Sequence, residues 1–236
     1  MTNAALSHGV TLTGADECTD LSALAALVAE HDNLEIGILY TETPDGRPRY
    51  PSLSWIERAI ETLPGRCALH VCGRGAREAL VSGELASLVP QLRRVQVNGH
   101  VEPWEIFAFA EQAPIVIMQW QPGRDSPEFE MATERAQEAG DFTHQWLVDG
   151  SGGQGLLPKS WARPLCNRAV GFAGGLGPET LAAALPRIAS SAEGLLWWWV
   201  DMESSLRTND WFDLDRCRAA LDAVAKWRRT LLGAAA

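Results

Sequence analysis

Residues 171–180, Gly-Phe-Ala-Gly-Gly-Leu-Gly-Pro-Glu-Thr (GFAGGLGPET), run from a small apolar segment through paired glycines into a helix-start signature. An apolar run that ends in Gly-Gly and turns into a helix is a βα junction, and its neighbours repeat the pattern. Upstream, short β-branched or apolar runs stand at Val10–Thr13, Leu34–Tyr40, Cys67–Cys72, Arg94–Val97, Ile115–Gln119 and Gln145–Asp149. The quoted stretch belongs to a seventh, Ala169–Ala173, and an eighth follows at Leu195–Asp201. Between them lie segments of helical period, among them Asp20–His31, Pro51–Leu63, Glu102–Gln112, Ser126–Gly140 and Leu214–Leu232. The sixth connection, Gly150–Arg168, is Gly-rich, then Trp- and Pro-containing, and shows no long helical period. Eight strands alternating with helices predict an α/β fold, a (β/α)8 TIM barrel whose sixth helix is short or replaced by a loop. An open doubly wound sheet would have fewer strands or an edge. No linker or composition shift divides the chain, so residues 1–236 are expected to form one domain.

Composition narrows the partners. Twenty Lys and Arg against thirty Asp and Glu give a formal charge of -10, a field that repels a phosphodiester backbone and argues against nucleic acid. No apolar run reaches the ~18 residues of a membrane helix, and the first residues lack a signal-peptide pattern. A soluble cytoplasmic protein without membrane contact is expected, monomer or homodimer. Five scattered cysteines, at 18, 67, 72, 166 and 217, read as reduced thiols. The histidines at 8, 31, 70, 100 and 144 have no ligand spacing with them, and Cys67 and Cys72, five apart on one strand, face opposite sides. Neither metal nor cofactor is expected.

In a (β/α)8 barrel the site lies at the C-terminal strand ends, and the loops after strands seven and eight commonly bind phosphate through backbone N–H groups. Gly174 and Gly175 would let a ligand approach, with Gly177-Pro178-Glu179 opening a helix, although a tight βα turn alone also accounts for paired glycines. Asp149 is a lone acid ending an apolar strand at that face. Asp201 ends another strand, where such acids also serve only to orient a loop. Trp197, Trp198 and Trp199 alternate along strand eight and read as barrel filling and helix contacts.

Six motifs in order extend the pattern. Thr11–Asp20 holds the end of strand one and an acid beyond it. Pro48-Arg49-Tyr50 follows strand two, and Gln96-Val97-Asn98-Gly99 ends strand four. Leu147-Val148-Asp149 leads into Gly152-Gly153-Gln154-Gly155. Gly174 to Glu179 follows strand seven, and Val200-Asp201-Met202-Glu203-Ser204-Ser205 ends strand eight. In this order and spacing the chain resembles the phosphoribosylanthranilate isomerase family, barrel enzymes of tryptophan biosynthesis. The resemblance implies an Amadori rearrangement, an aldose–ketose isomerisation of an N-phosphoribosyl aromatic amine. It implies Asp149 as general acid at the sugar ring oxygen. Arg49 and Gln96 would meet the substrate, and Gly153, Gly155, Gly174, Gly175 and Ser204 its phosphate, with Asp201 and Glu203 alongside.

Two positions depart from the family's pattern. The family's base, a Cys at the end of strand one, is Thr13 here, and a hydroxyl cannot serve as a base unless another group takes its proton. Asp16, Glu17 or Cys18 could supply one, although acids in such a loop also cap the following helix; Cys72 is a further thiol that reads first as buried and structural. Glu203 and Ser205 replace the first Ser and the Gly of the Ser-Ser-Gly turn after strand eight. A carboxylate pointing into that turn would repel a phosphate dianion, whereas one pairing with Arg207 would leave the backbone donors clear. Two classes of function are thus expected, an isomerase with an unidentified base, or a catalytically altered or inactive homologue that binds a related phosphosugar or aromatic acid.

Overall fold

The computed structural model describes residues 8–99, 101, 105–113, 115–121, 143–151, 154–163, 169–195 and 197–234. Eight parallel strands form one closed barrel in sequence order. They are β1 (His8–Thr13), β2 (Leu34–Tyr40), β3 (Cys67–Cys72), β4 (Arg94–Asn98), β5 (Ile115–Trp120), β6 (Thr143–Asp149), β7 (Ala169–Ala173) and β8 (Trp197–Met202). Closure is made by β1 on β8, with Thr11 opposite Asp201. Around it pack α1 (Leu21–Ala29), α2 (Leu53–Thr62), α3 (Gly73–Ser82), α4 (Glu105–Ala110), α5 (Leu181–Ser191) and α6 (Leu214–Ala234). The eight predicted strands agree with those observed to within two residues at either end, and the described residues of the sixth connection contain no helix. The segment Ser126–Gly140 lies outside the described residues.

Local chemistry sets these elements. Asp20 caps α1, its carboxylate accepting from Ser22 and Ala23 N–H groups, and Ser52 caps α2 by accepting from Trp55 N–H. Helix α5 begins three residues later than Pro178 suggests, because Gly177 to Thr180 form a separate turn: Thr180 Oγ1 accepts from Gly177 N–H and Thr180 N–H donates to Gly177 O. Beyond β8 the chain adds a two-stranded hairpin, β9 (Arg207–Thr208) and β10 (Trp211–Phe212). Asn209 and Asp210 turn it with φ of 53° and 63°, the left-handed pair of a tight hairpin that Asn and Asp tolerate.

The barrel interior is filled by unequal side chains that complement one another. Trp199 stacks on Trp197 with ring centroids 5.3 Å apart, and its register partners on both flanking strands are glycines, Gly9 and Gly171. A Cβ at Gly171 would enter the Trp199 indole, so the bare backbone there makes room for the ring. Trp198 points outward between Phe172 and Trp227 of α6. Toward the N-terminal strand ends, Arg94 spans the barrel, donating to both Glu35 oxygens and to Gln145 Oε1, with its guanidinium 4.2 Å from the Trp199 ring centroid. Fixed by three hydrogen bonds and an aromatic face, this plug closes the floor beneath the open C-terminal end.

Candidate active site

At the C-terminal strand ends a cavity of about 410 Å³ opens, lined by residues of all eight barrel strands and of loops after them. Thr13, Arg49, Gln96, Asp149, Gly155, Gly174, Gly175, Asp201, Glu203 and Ser204 all border it. Gly153 lies outside the described residues. Strand ends from distant parts of the chain are brought together here because the closed register sets equivalent positions at one height.

Two carboxylates face each other across β7. Ala173 is the register partner of Asp149 on one side, and the Phe172–Val200 pair places Asp201 opposite Ala173 on the other. Two strand spacings put their Cα atoms roughly 10 Å apart. Asp149 Oδ1 accepts from Ser151 N–H and Oγ at 2.9 and 2.8 Å, and its Oδ2 accepts from Gln119 Nε2 at 2.8 Å. Gln119 is held in turn by Gly99 N–H at its Oε1. Asp201, 7% exposed, accepts from Thr13 Oγ1 at 2.7 Å. Burial pushes its carboxyl up to about 7, while the Thr13 hydroxyl opposes that rise.

Asp16 takes a different part from the one considered for it. It is 0% exposed and does not border the cavity. Its carboxylate accepts from Cys18 N–H, Thr19 Oγ1, Phe212 N–H and Arg207 Nη2, the last at 2.7 Å. It therefore anchors the β9–β10 hairpin against the first loop. Glu17 accepts from Ser52 N–H, which ties it to the α2 cap, and the Ser52 side chain, with that N–H, holds its carboxyl below the usual range. Cys18 is exposed. Cys72 borders the cavity and accepts from Asn98 Nδ2, but burial pushes its thiol up to about 12.

Glu203 does not pair with Arg207. Its Oε1 meets Arg49 Nη1 at 2.7 Å, and Arg49 Nη2 meets Asp210 at 3.2 Å. Arg207 instead donates to Gly14 O and Asp16. That arrangement depends on Gly14, whose φ of 102° lies in the left-handed region and whose missing Cβ leaves space for Arg207 Nη1. Glu203 is thus at the cavity wall as a paired carboxylate. Burial raises the pKa of its carboxyl, and Arg49, then Arg207, oppose that rise.

The loops after β7 and β8 are stitched together. Ser205 Oγ donates to Leu176 O, and Arg216 of α6 donates to Ser205 O at 2.6 Å and pairs with Glu179. Gly175, with φ of 58°, has the Leu156–Leu157 backbone against the place a Cβ would occupy. The paired glycines therefore serve close loop packing as well as lining the cavity. Gly177 N–H is taken up by Thr180.

Sequence reasoning passed over His70 and Arg47. His70, 1% exposed, borders the cavity and shares a hydrogen bond between its Nδ1 and Gln96 Nε2 at 3.1 Å. Burial lowers it to about 4, so the ring is neutral, and Nε2 has no hydrogen-bond partner among the described residues. A Cβ at Gly37 would meet both His70 and Thr13; that glycine inside β2 was the available signal. Arg47 lies over the Tyr50 ring and pairs with Asp45. No group of ligating side chains suited to a metal occurs among the described residues, and no described helix is long and apolar enough to cross a membrane.

No protein-family model and no curated protein matches the sequence. Solved structures do share the fold. Phosphoribosyl anthranilate isomerase from Thermus thermophilus matches at 22% identity and TM-score 0.65, covering 93% of this chain and 99% of that one. TrpF from Jonesia denitrificans matches at 18% and 0.63, over 93% and 97%. Phospho-2-dehydro-3-deoxyheptonate aldolase from Thermotoga maritima matches at 11% and 0.57, over 96% and 70%. The likeness at these identities is one of fold, and it spans more than one chemistry.

Proposed function

We propose that the chain is an isomerase of the phosphoribosylanthranilate isomerase type, converting an N-ribosyl aromatic amine into its 1-amino-1-deoxyketose by an Amadori rearrangement. The observation that carries this reading is the pair of carboxylates, Asp149 and Asp201, facing one cavity across β7. The reaction needs a proton given to the ring oxygen and another taken from C2, so it needs two titratable groups on opposite sides of one sugar. Asp149 is the proton donor in this reading, and Ser151 and Gln119 fix its orientation. As the C1–O bond breaks, the nitrogen lone pair forms an iminium and the donated proton stays on the former ring oxygen.

Arg49 suits the aromatic acid, since its planar fork both pairs with carboxylate and stacks on a ring. Its present partners are Glu203 and Asp210, so a substrate carboxylate exchanges for an internal one. Gly155, Gly174, Gly175 and Ser204 border the end of the cavity where a phosphate would lie. Its approach there is opposed by Glu203 to the extent that Arg49 leaves that carboxylate unneutralised. Gln96, tied to His70 and Asn98, borders the same cavity and would offer its amide to the sugar.

The test is complementation of cells lacking the tryptophan-pathway isomerase, with a parallel assay of the purified chain on N-(5'-phosphoribosyl)anthranilate. Growth with turnover supports the reading. Neither growth at high expression nor turnover in vitro, with ligand binding retained, returns the chain to a binding homologue.

A further inference from the structure

Resting on that reading, we propose that Asp201, oriented by the Thr13 hydroxyl, is the base that takes the proton from C2 of the opened sugar. Thr13 then acts through Asp201 as a positioning residue and need not lose a proton of its own.

The geometry selects Asp201 from several candidates. Thr13 Oγ1 donates to Oδ1 at 2.7 Å, and no other hydrogen bond to this carboxylate is found among the described residues. It borders the cavity at the height of Asp149, with only β7 between them. Asp16 is outside the cavity with its oxygens engaged by four donors. Glu203 is held by Arg49. The Cys72 thiol is pushed far above neutrality, and neutral His70, lowered to about 4, is a weak base.

The surroundings suit the role. Glu203 from the following loop and Glu35 on β2 reinforce the rise that burial gives Asp201, while Thr13 on β1 and Arg94 on β4 oppose it. His70 on β3 faces the same cavity uncharged. A carboxyl balanced at about 7 is ionised in a large fraction of molecules at neutral pH and still basic enough to accept a carbon-bound proton. The step balances within the substrate. The Asp201 carboxylate forms a bond to the C2 proton, the C–H pair becomes the C1–C2 double bond, and the C=N π pair returns to nitrogen. The resulting enol then gains a proton at C1 and loses one from the C2 hydroxyl, giving the ketose.

The experiment measures turnover of N-(5'-phosphoribosyl)anthranilate, protonated or deuterated at C2, by wild type, Asp201→Asn and Thr13→Val. Asp201→Asn should lose roughly 10²–10⁴-fold in kcat, retain substrate affinity in single-turnover measurements, and show a larger C2 isotope effect in its residual activity. Thr13→Val should remain active, with the acid limb of its kcat/KM profile moved to higher pH, because the donor that favours ionised Asp201 is gone. Asp201→Asn within about threefold of wild type, or an unmoved pH limb in Thr13→Val, would overturn the assignment while leaving the isomerase reading in place. Wild type without turnover in the same assay removes that reading, and this assignment with it.

Discussion

Single side chains at the cavity carry the first predictions. Asp149→Asn keeps shape and removes the acid, so kcat should fall roughly 10²–10⁴-fold; steady-state kinetics with unchanged kcat would remove Asp149 from that role. Glu203→Gln should leave Asp210 as the one carboxylate on the Arg49 fork and take a negative charge from the cavity wall. The KM for a phosphate-bearing substrate should fall several-fold, and inorganic phosphate should inhibit more strongly; a raised KM would show that Glu203 helps to hold substrate. Asp201 also couples stability to pH. Its folded carboxyl is raised from 3.8 to about 7, so between those values the native state holds a proton that the unfolded state has released. Stability from this group is present below about 4 and is lost as pH rises toward 7, by up to about 1.4 kcal/mol per pH unit. His70, lowered from 6.5 to about 4, works in the opposite sense over much of the same range. The difference between wild type and Asp201→Asn in urea titrations isolates the first slope, and parallel curves would refute it.

Among the elements, the β9–β10 hairpin is the one that the alternation of strands and helices did not announce. Its two-residue strands bury little, and its position depends on Arg207, whose side chain is 3% exposed and reaches Gly14 O and buried Asp16. Arg207→Met leaves the Asp16 carboxylate without its cation inside the fold, at a cost of about 3–5 kcal/mol, measurable by urea unfolding. Because Asp210 of the same hairpin holds Arg49, that variant should also weaken binding of an aromatic acid. Short elements built on Asn, Asp and one Arg give little periodicity, which is why the hairpin was illegible. The glycines after β7 were legible as a turn. That Leu156 and Leu157 from the preceding loop would fill the space at Gly175 follows only from how two loops meet.

At the scale of the whole barrel, the Glu35–Arg94–Gln145 plug links β2, β4 and β6 through a bidentate pair and one amide. Arg94→Met would leave buried Glu35 with only the longer Arg93 contact at 3.7 Å and the Thr11 hydroxyl and should cost up to about 3–5 kcal/mol, whereas Arg94→Met with Glu35→Leu should recover most of that loss. Equal destabilisation of the single and double variants in urea would show that the ion pair itself, and not the isolated charge, sustains the floor. Above the plug, Trp199 between Gly9 and Gly171 shows volume being matched across strands.

The eight-stranded order, the face that carries the site and the candidacy of Asp149, Arg49 and Asp201 were already determined by the sequence. They depend on periodicity, glycine placement and residues at strand ends, all of which are local. The partners of those side chains were decided by tertiary structure. Thr13 and Asp201 are 188 positions apart, Arg49 and Glu203 are 154 apart, and only closure of β8 on β1 and the return of the hairpin bring them within hydrogen-bond reach. Asp16 looked available as a base because it lies in the loop just after β1; it is occupied because Arg207, 191 positions away, folds back onto it. A side chain's type and strand position are written in the chain, but its ionisation and its partner are set by which distant segments remove its water.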